Sequence, residues 1–322
     1  MSYQGPDFDV PQPERPGRLR RGLLTVALAA LVPGALLGWL VYEAVGDPGG
    51  SDTAARPSAS GSPSGSEGPL LPPYPGQDDK GGGSSPTRKP SAPAVSGPLR
   101  GKVVVVDPGH NPGNFRHTAE INRPVDIGTN RKECDTTGTS TNAGYSEARF
   151  TLDVAHRLRA LLEAQGATVK LTHDGDSPAW GPCVDERARI GNDAHADAAV
   201  SIHADGAASG DRGFHVILPG AVHSGSADTR PIVSASRDLG ERIAGNFVRV
   251  TGEAPSNYLG GGTGLVTRRD LGGLNLSTVP KVFIECGNMR DSKDAASLTS
   301  GAWRQKAAQG ISEGIVSFLR GS

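Results

Sequence analysis

Three short apolar runs, each leading to a side chain able to do chemistry, constrain this chain more than any other feature. Val103 to Val106 leads through Asp107, Pro108 and Gly109 to His110, Ala198 to Ile202 leads to His203, and Val282 to Ile284 leads to Glu285. Continuous apolar runs of this length read as buried strands, and Pro108 and Gly109 mark a turn. Between them, Ser146 is placed to cap a helix that continues to about Ala164. Its Phe150, Val154, Leu158 and Leu161 recur at helical spacing, and Gly166 marks its end. Thr168 to Leu171 and Phe214 to Leu218 read as further strands. Val184 to Asp193, Ile232 to Val250 and the stretch holding Trp303, Ala307, Ile311, Ile315 and Phe318 read as helices. Strands alternating with helices predict a single α/β domain with a mostly parallel twisted sheet flanked by helices, and the chain shows no internal repeat. Ligands of such sheets collect at the carboxyl ends of strands, where His110, His203 and Glu285 fall.

The N-terminal part has a different physics. Gly22 to Tyr42 carries no charge and is long enough to cross a hydrocarbon core, and Arg15, Arg18, Arg20 and Arg21 precede it. This predicts a cytoplasmic basic tail over 1–21 and a transmembrane signal anchor over 22–43. Residues 44–98, rich in Gly, Pro and Ser, lack the apolar surface to offset ordering and predict a disordered linker. A tether of about 50 residues reaches roughly 40 Å. The remainder, 99–322, is the expected catalytic domain. The expected location is the cell membrane, single-pass, with the domain outside, or secretion if the apolar segment is cleaved as a signal at Ala44 to Gly46. A formal net charge of -1 and the absence of a basic stripe with aromatics argue against nucleic acid.

Two imidazoles and the carboxylate of Glu147, in the first turn of the Ser146-capped helix, make a donor set that suits zinc with an open position for water. A further free carboxylate would serve as general base. Each residue also has a plainer account. A histidine after a strand is commonly hydrogen-bonded structure, and a first-turn glutamate is stabilised by the helix dipole alone. The spacing forms no compact metal motif. Glu285 is harder to explain away, because a carboxylate in an apolar run is costly unless paired or used.

Four segments, VVVDPGHNPG, GYSEARFTLDVAHRLRALLEAQGATVKLTH, VDERARIGNDAHADAAVSIHADG and LNLSTVPKVFIECGNM, resemble in order the zinc-dependent N-acetylmuramoyl-L-alanine amidases of the amidase-3 type. The resemblance covers Lys102 to the C-terminus. It implies that His110, Glu147 and His203 bind one zinc ion, and that Glu285 is the catalytic base. It also implies that peptidoglycan is the substrate, cut between N-acetylmuramic acid and L-alanine. Arg187 and Asn192 match residues usual in the second helix and are taken as structural. Asn111 stands where many members have glycine, which alters the turn beside His110. The long stretch from Asn111 to Ala143 looks most like the actinobacterial, mycobacterial-type branch, as a wall of the substrate groove.

Between His203 and the helix near Ile232 the chain offers a strand and a Gly/Ser-rich loop from Pro219 to Thr229. A site-blocking helix has no room there, so no activator is expected. A monomer is the default state. Outside the cytoplasm a disulfide is plausible, and Cys134 with Cys183 is the expected pair, leaving Cys286 as a buried thiol. His117 and His223 fall in loops near the expected rim, and His156, His173, His195 and His215 are assigned no metal role. Two other functions remain: a zinc peptidase cutting within the stem peptide, and a catalytically silent wall-binding module. Product analysis separates the first. Loss of one of the four site residues would mark the second, and all four are intact.

Overall fold

The computed structural model describes residues 97–321. The expected tail and anchor, and all but the end of the linker, lie outside the described residues. Among the described residues no helix is long and apolar enough to cross a membrane.

Strand β1 (Val103–Pro108) is followed by helix α1 (Glu147–Ala164), strand β2 (Thr168–Leu171), helix α2 (Val184–Asp193), strand β3 (Ala198–Asp205), strand β4 (His215–Pro219) and helix α3 (Val233–Thr251). Then come strand β5 (Leu265–Arg268), strand β6 (Lys281–Asn288), helix α4 (Ser292–Thr299) and helix α5 (Gly301–Arg320). The six strands form one sheet in the order β2-β1-β3-β6-β4-β5. β1, β2, β3 and β6 run parallel, β4 runs against β6, and β5 follows β4. The expected mostly parallel sheet is present, with a reversed pair at one edge.

Alternation along the strands sets the two faces. Val104, Val106, Ala198, Val200 and Ile202 pack with Phe150, Val154, Leu158 of α1 and with Leu239, Ile243, Phe247, Ile311 and Ile315 of α3 and α5. Val105 and Ala199 face the other way, toward Ile190 and Ala194 at α2. On this second face the apolar pattern changes toward the carboxyl edge. There the strands place Asp107, Ser201 and Glu285, with Phe283 between them and Lys281 reaching Asp107 from the start of β6.

Several local features depart from expectation. Ser146 occupies the position before α1 with extended backbone, but its side chain makes no capping bond. The stretch from Asn111 to Ala143 is not one irregular loop. It holds a two-stranded hairpin, Pro124–Asp126 with Arg131–Glu133, whose residues are too short and polar to show an alternation. The loop from Pro219 to Thr229 carries only a two-residue ladder, His223–Ser224 with Ala227–Asp228, and no helix lies between β3 and α3. Cys134 and Cys183 are bridged and Cys286 is a buried free thiol, as expected. Burial pushes the Cys286 thiol pKa well up, so it stays an inert packing group.

Candidate active site

His110 stands two residues beyond β1 with φ of 60°, a left-handed conformation that a non-glycine residue adopts at a cost of about 1–3 kcal/mol. Surrounding bonds hold it there. Its Nδ1 lies 3.1 Å from the carbonyl of Thr136, which only accepts, so Nδ1 carries the proton and Nε2 faces the site. Asp135 Oδ1 lies 3.6 Å from the same Nδ1. His203, on β3, stacks on Phe283 of β6 at 5.3 Å and meets the His110 ring edge-on at 5.0 Å. Gly109 lets these rings approach, since a Cβ there would lie 2.4 Å from the His203 ring.

Glu147 opens α1 and points between the two imidazoles. Its Oε2 is 3.1 Å from His110 Nε2 and its Oε1 2.9 Å from His203 Nδ1. The backbone N–H of Thr139 donates to Oε2 at 2.9 Å and that of Ala204 to Oε1 at 3.2 Å. Burial alone would raise the Glu147 pKa, but His110 and His203 together outweigh it and hold the carboxyl well below the usual range. Burial alone would lower the His110 pKa, and Glu147 with Asp135 outweighs it and raises it. One donor atom from each of His110, Glu147 and His203 falls within 4.8 Å of the others. A buried carboxylate held ionised between two imidazoles has the donor chemistry for a divalent cation.

Glu285 is the register partner of His203 on β3 and of His215 on β4. Its Oε2 is buried without a hydrogen-bond partner, in a cleft of about 420 Å³ shared with His110, Glu147, His203 and Arg268. Burial, then the charges of Glu147 and Asp205, push its pKa well above the usual carboxylate range. The fold thus brings all four sequence-identified residues to one cleft. His215, though beside Glu285, turns its ring edge to Tyr258 and is not one of the three converging donors. Trp180 is near His117, and His223 pairs with Asp228 and Arg230, away from the cluster.

Beneath the cluster lies a buried ionic lattice. Asp107 accepts from Arg187 Nη1 at 2.7 Å, Lys281 Nζ at 3.2 Å, Thr172 Oγ1 at 2.7 Å and Ser201 Oγ at 2.9 Å. Arg187 also donates through Nη2 to Asp135 Oδ2 at 2.9 Å and to the His110 carbonyl at 3.1 Å. Arg187 is structural, as expected, but the structure it supports is the turn that carries His110. Asn192 is structural elsewhere, donating to Leu276 O and accepting from Thr278 N–H in the segment that leads into β6. Asn111 is buried and ties the turn to the carbonyls of Pro178 and Gly181, which explains why a side chain replaces glycine there. The sequence reading did not single out Asp107, Asp135, Thr136, Phe283 or Lys281. Phe283 was recoverable from period two, being two residues before Glu285 on one strand.

The lattice has a pH consequence. Burial opposes ionisation of Asp107 and Asp135, but Lys281 and Arg187 hold the Asp107 pKa, and Arg187 the Asp135 pKa, well below the usual range. A depressed folded pKa contributes stability that is present above the unfolded value, about 3.9, and is lost as pH falls below it. We expect the urea midpoint to hold from pH 7 to about 4 and to drop below, with a shallower drop in Asp135→Asn. An unchanged midpoint between pH 4 and 2.5 would contradict the charged state of this lattice.

Comparison with known proteins agrees with the geometry. The family model described as N-acetylmuramoyl-L-alanine amidase matches residues 104–317. The chain is 40% identical over 230 residues to the amidase Rv3717 of Mycobacterium tuberculosis, covering 71% of this chain and 91% of that protein. The crystal structure of the N-acetylmuramyl-L-alanine amidase Ami1 from Mycobacterium smegmatis is similar with a TM-score of 0.63 and 38% identity, over 70% of this chain and 99% of that one. Ami1 from Mycobacterium abscessus, in its apo form, gives 0.61 and 38%, over 69% and 100%.

Proposed function

The chain belongs to the N-acetylmuramoyl-L-alanine amidase family and hydrolyses the amide between N-acetylmuramic acid and L-alanine, and we propose that it does so with one zinc ion held by His110, Glu147 and His203 and with Glu285 as general base. The observation that carries this reading is the convergence of three donor atoms within 4.8 Å beside a carboxylate oxygen that has no partner. Zinc held there would supply Lewis acidity to a water and to the amide carbonyl. Glu147, anchored by two backbone N–H groups, and His110, fixed by Thr136, present their donors without reorganisation. Glu285 takes a proton from the attacking water and returns it to the leaving amine of alanine. A nearby divalent charge would lower its raised pKa and so favour the carboxylate that accepts the proton.

We place the catalytic domain outside the membrane, on the anchor expected at 22–43 or free after cleavage. The bridge between Cys134 and Cys183 supports an oxidising compartment. The absence of a helix between β3 and α3 supports an enzyme that works without an activator. No observation favours a stem peptidase or a silent module over this reading.

Zinc titration of the metal-free full-length chain tests the metal assignment. We expect one site, and an affinity loss of at least about 100-fold in His203→Ala. Undiminished zinc uptake by that variant would contradict the ligand set.

A further inference from the structure

A groove of about 800 Å³ runs from the site on the side away from Glu285. Gly138 and Thr139 line both this groove and the cleft that holds His110, Glu147 and His203, so the two adjoin. The groove's walls come from the segment after β1, the start of α1 and Asp176 after β2, at the β2-β1 end of the sheet. Glu285 lies on β6, with β4 and β5 beyond it. On the reading above, Glu285 serves the leaving amine, so the peptide departs toward β6, β4 and β5. The acyl half of the substrate, which bears the sugar, is then directed toward β1 and β2.

The groove's chemistry suits a sugar. Phe115 is 60% exposed, the most exposed large apolar side chain among the described residues, with the Arg116 guanidinium 4.9 Å from its ring centre. The hydroxyl-bearing Thr139 and Ser140 and the guanidinium of Arg149 line the same space. A flat apolar plate beside several hydrogen-bonding groups fits the C–H face and the hydroxyl and acetamido groups of a pyranose. The volume falls in the range of sites that take ligands of a few rings, roughly 300–1,000 Å³.

We propose that this groove is the glycan subsite, holding N-acetylated sugars of the peptidoglycan strand, with Phe115 as the stacking platform. The proposal rests on the amidase reading for its direction, and binding separates the two. Peptide-free oligosaccharides of alternating N-acetylglucosamine and N-acetylmuramic acid, four sugars long, are titrated calorimetrically into the full chain. Wild type binds, Phe115→Ala binds roughly tenfold more weakly, and Phe115→Trp recovers affinity. In parallel, Phe115→Ala raises KM by a similar factor on peptide-bearing tetrasaccharides, with the loss carried in KM rather than in kcat. No binding of the oligosaccharide by wild type, equal binding by Phe115→Ala, or a loss carried in kcat with KM unchanged would overturn the subsite. Binding that depends on Phe115 without any hydrolysis would uphold the subsite and count against the amidase chemistry.

Discussion

Glu285→Gln is expected to lower kcat roughly 10²–10⁴-fold with zinc content unchanged, because the substitution keeps the shape and removes the proton acceptor. The partnerless Oε2 is the reason for so large an effect. No hydrogen bond within the protein uses it, and its burial keeps the carboxyl costly unless a reaction employs it. Stability should be unchanged or slightly increased, since a buried unpaired acid is replaced by a neutral amide. Zinc content measured by mass spectrometry and turnover on a muramoyl peptide check both halves. Turnover within tenfold of wild type would remove Glu285 from the chemistry.

Arg187→Met should destabilise the domain by about 3–5 kcal/mol, because it leaves Asp107 and Asp135 buried without their shared cation. Asp107 retains Lys281, Thr172 and Ser201, so the domain has partial compensation there. Asp135 retains Asn114. The loss therefore concentrates on the turn at His110, whose carbonyl Arg187 also holds. Zinc affinity should fall together with the urea midpoint. A variant as stable as wild type, or one that loses stability with zinc affinity intact, would show that the lattice does not support the site.

The strands and the helices that flank them were legible because their signals are local: continuous apolar runs for β1, β3 and β6, and three-to-four spacing for α1. Elements whose stability comes from elsewhere carried no such signal. The hairpin at 124–133 is polar and held partly by Cys134, and β5 is a half-exposed edge strand. Helix α4 was available from its cap, since Asp291 accepts from the backbone of Lys293 and Asp294, but its short length hides the apolar period. The direction of β4 is a tertiary property that no residue in it reports. At the site, His110, Glu147, His203 and Glu285 were legible as chemistry at element ends. The groups that orient them were not. Asp135 and Thr136 lie in irregular chain, and the burial of Lys281 shows only once Asp107 is seen opposite it.

The most direct test is digestion of purified peptidoglycan by the full-length chain, before and after chelation and after zinc is restored, with products identified by mass spectrometry. We predict release of intact stem peptides that begin with L-alanine, loss of that release on chelation, and its recovery with about one equivalent of zinc per chain. Release that persists in fully demetallated protein would contradict the metal mechanism, and products cut within the stem peptide would contradict the bond assignment itself.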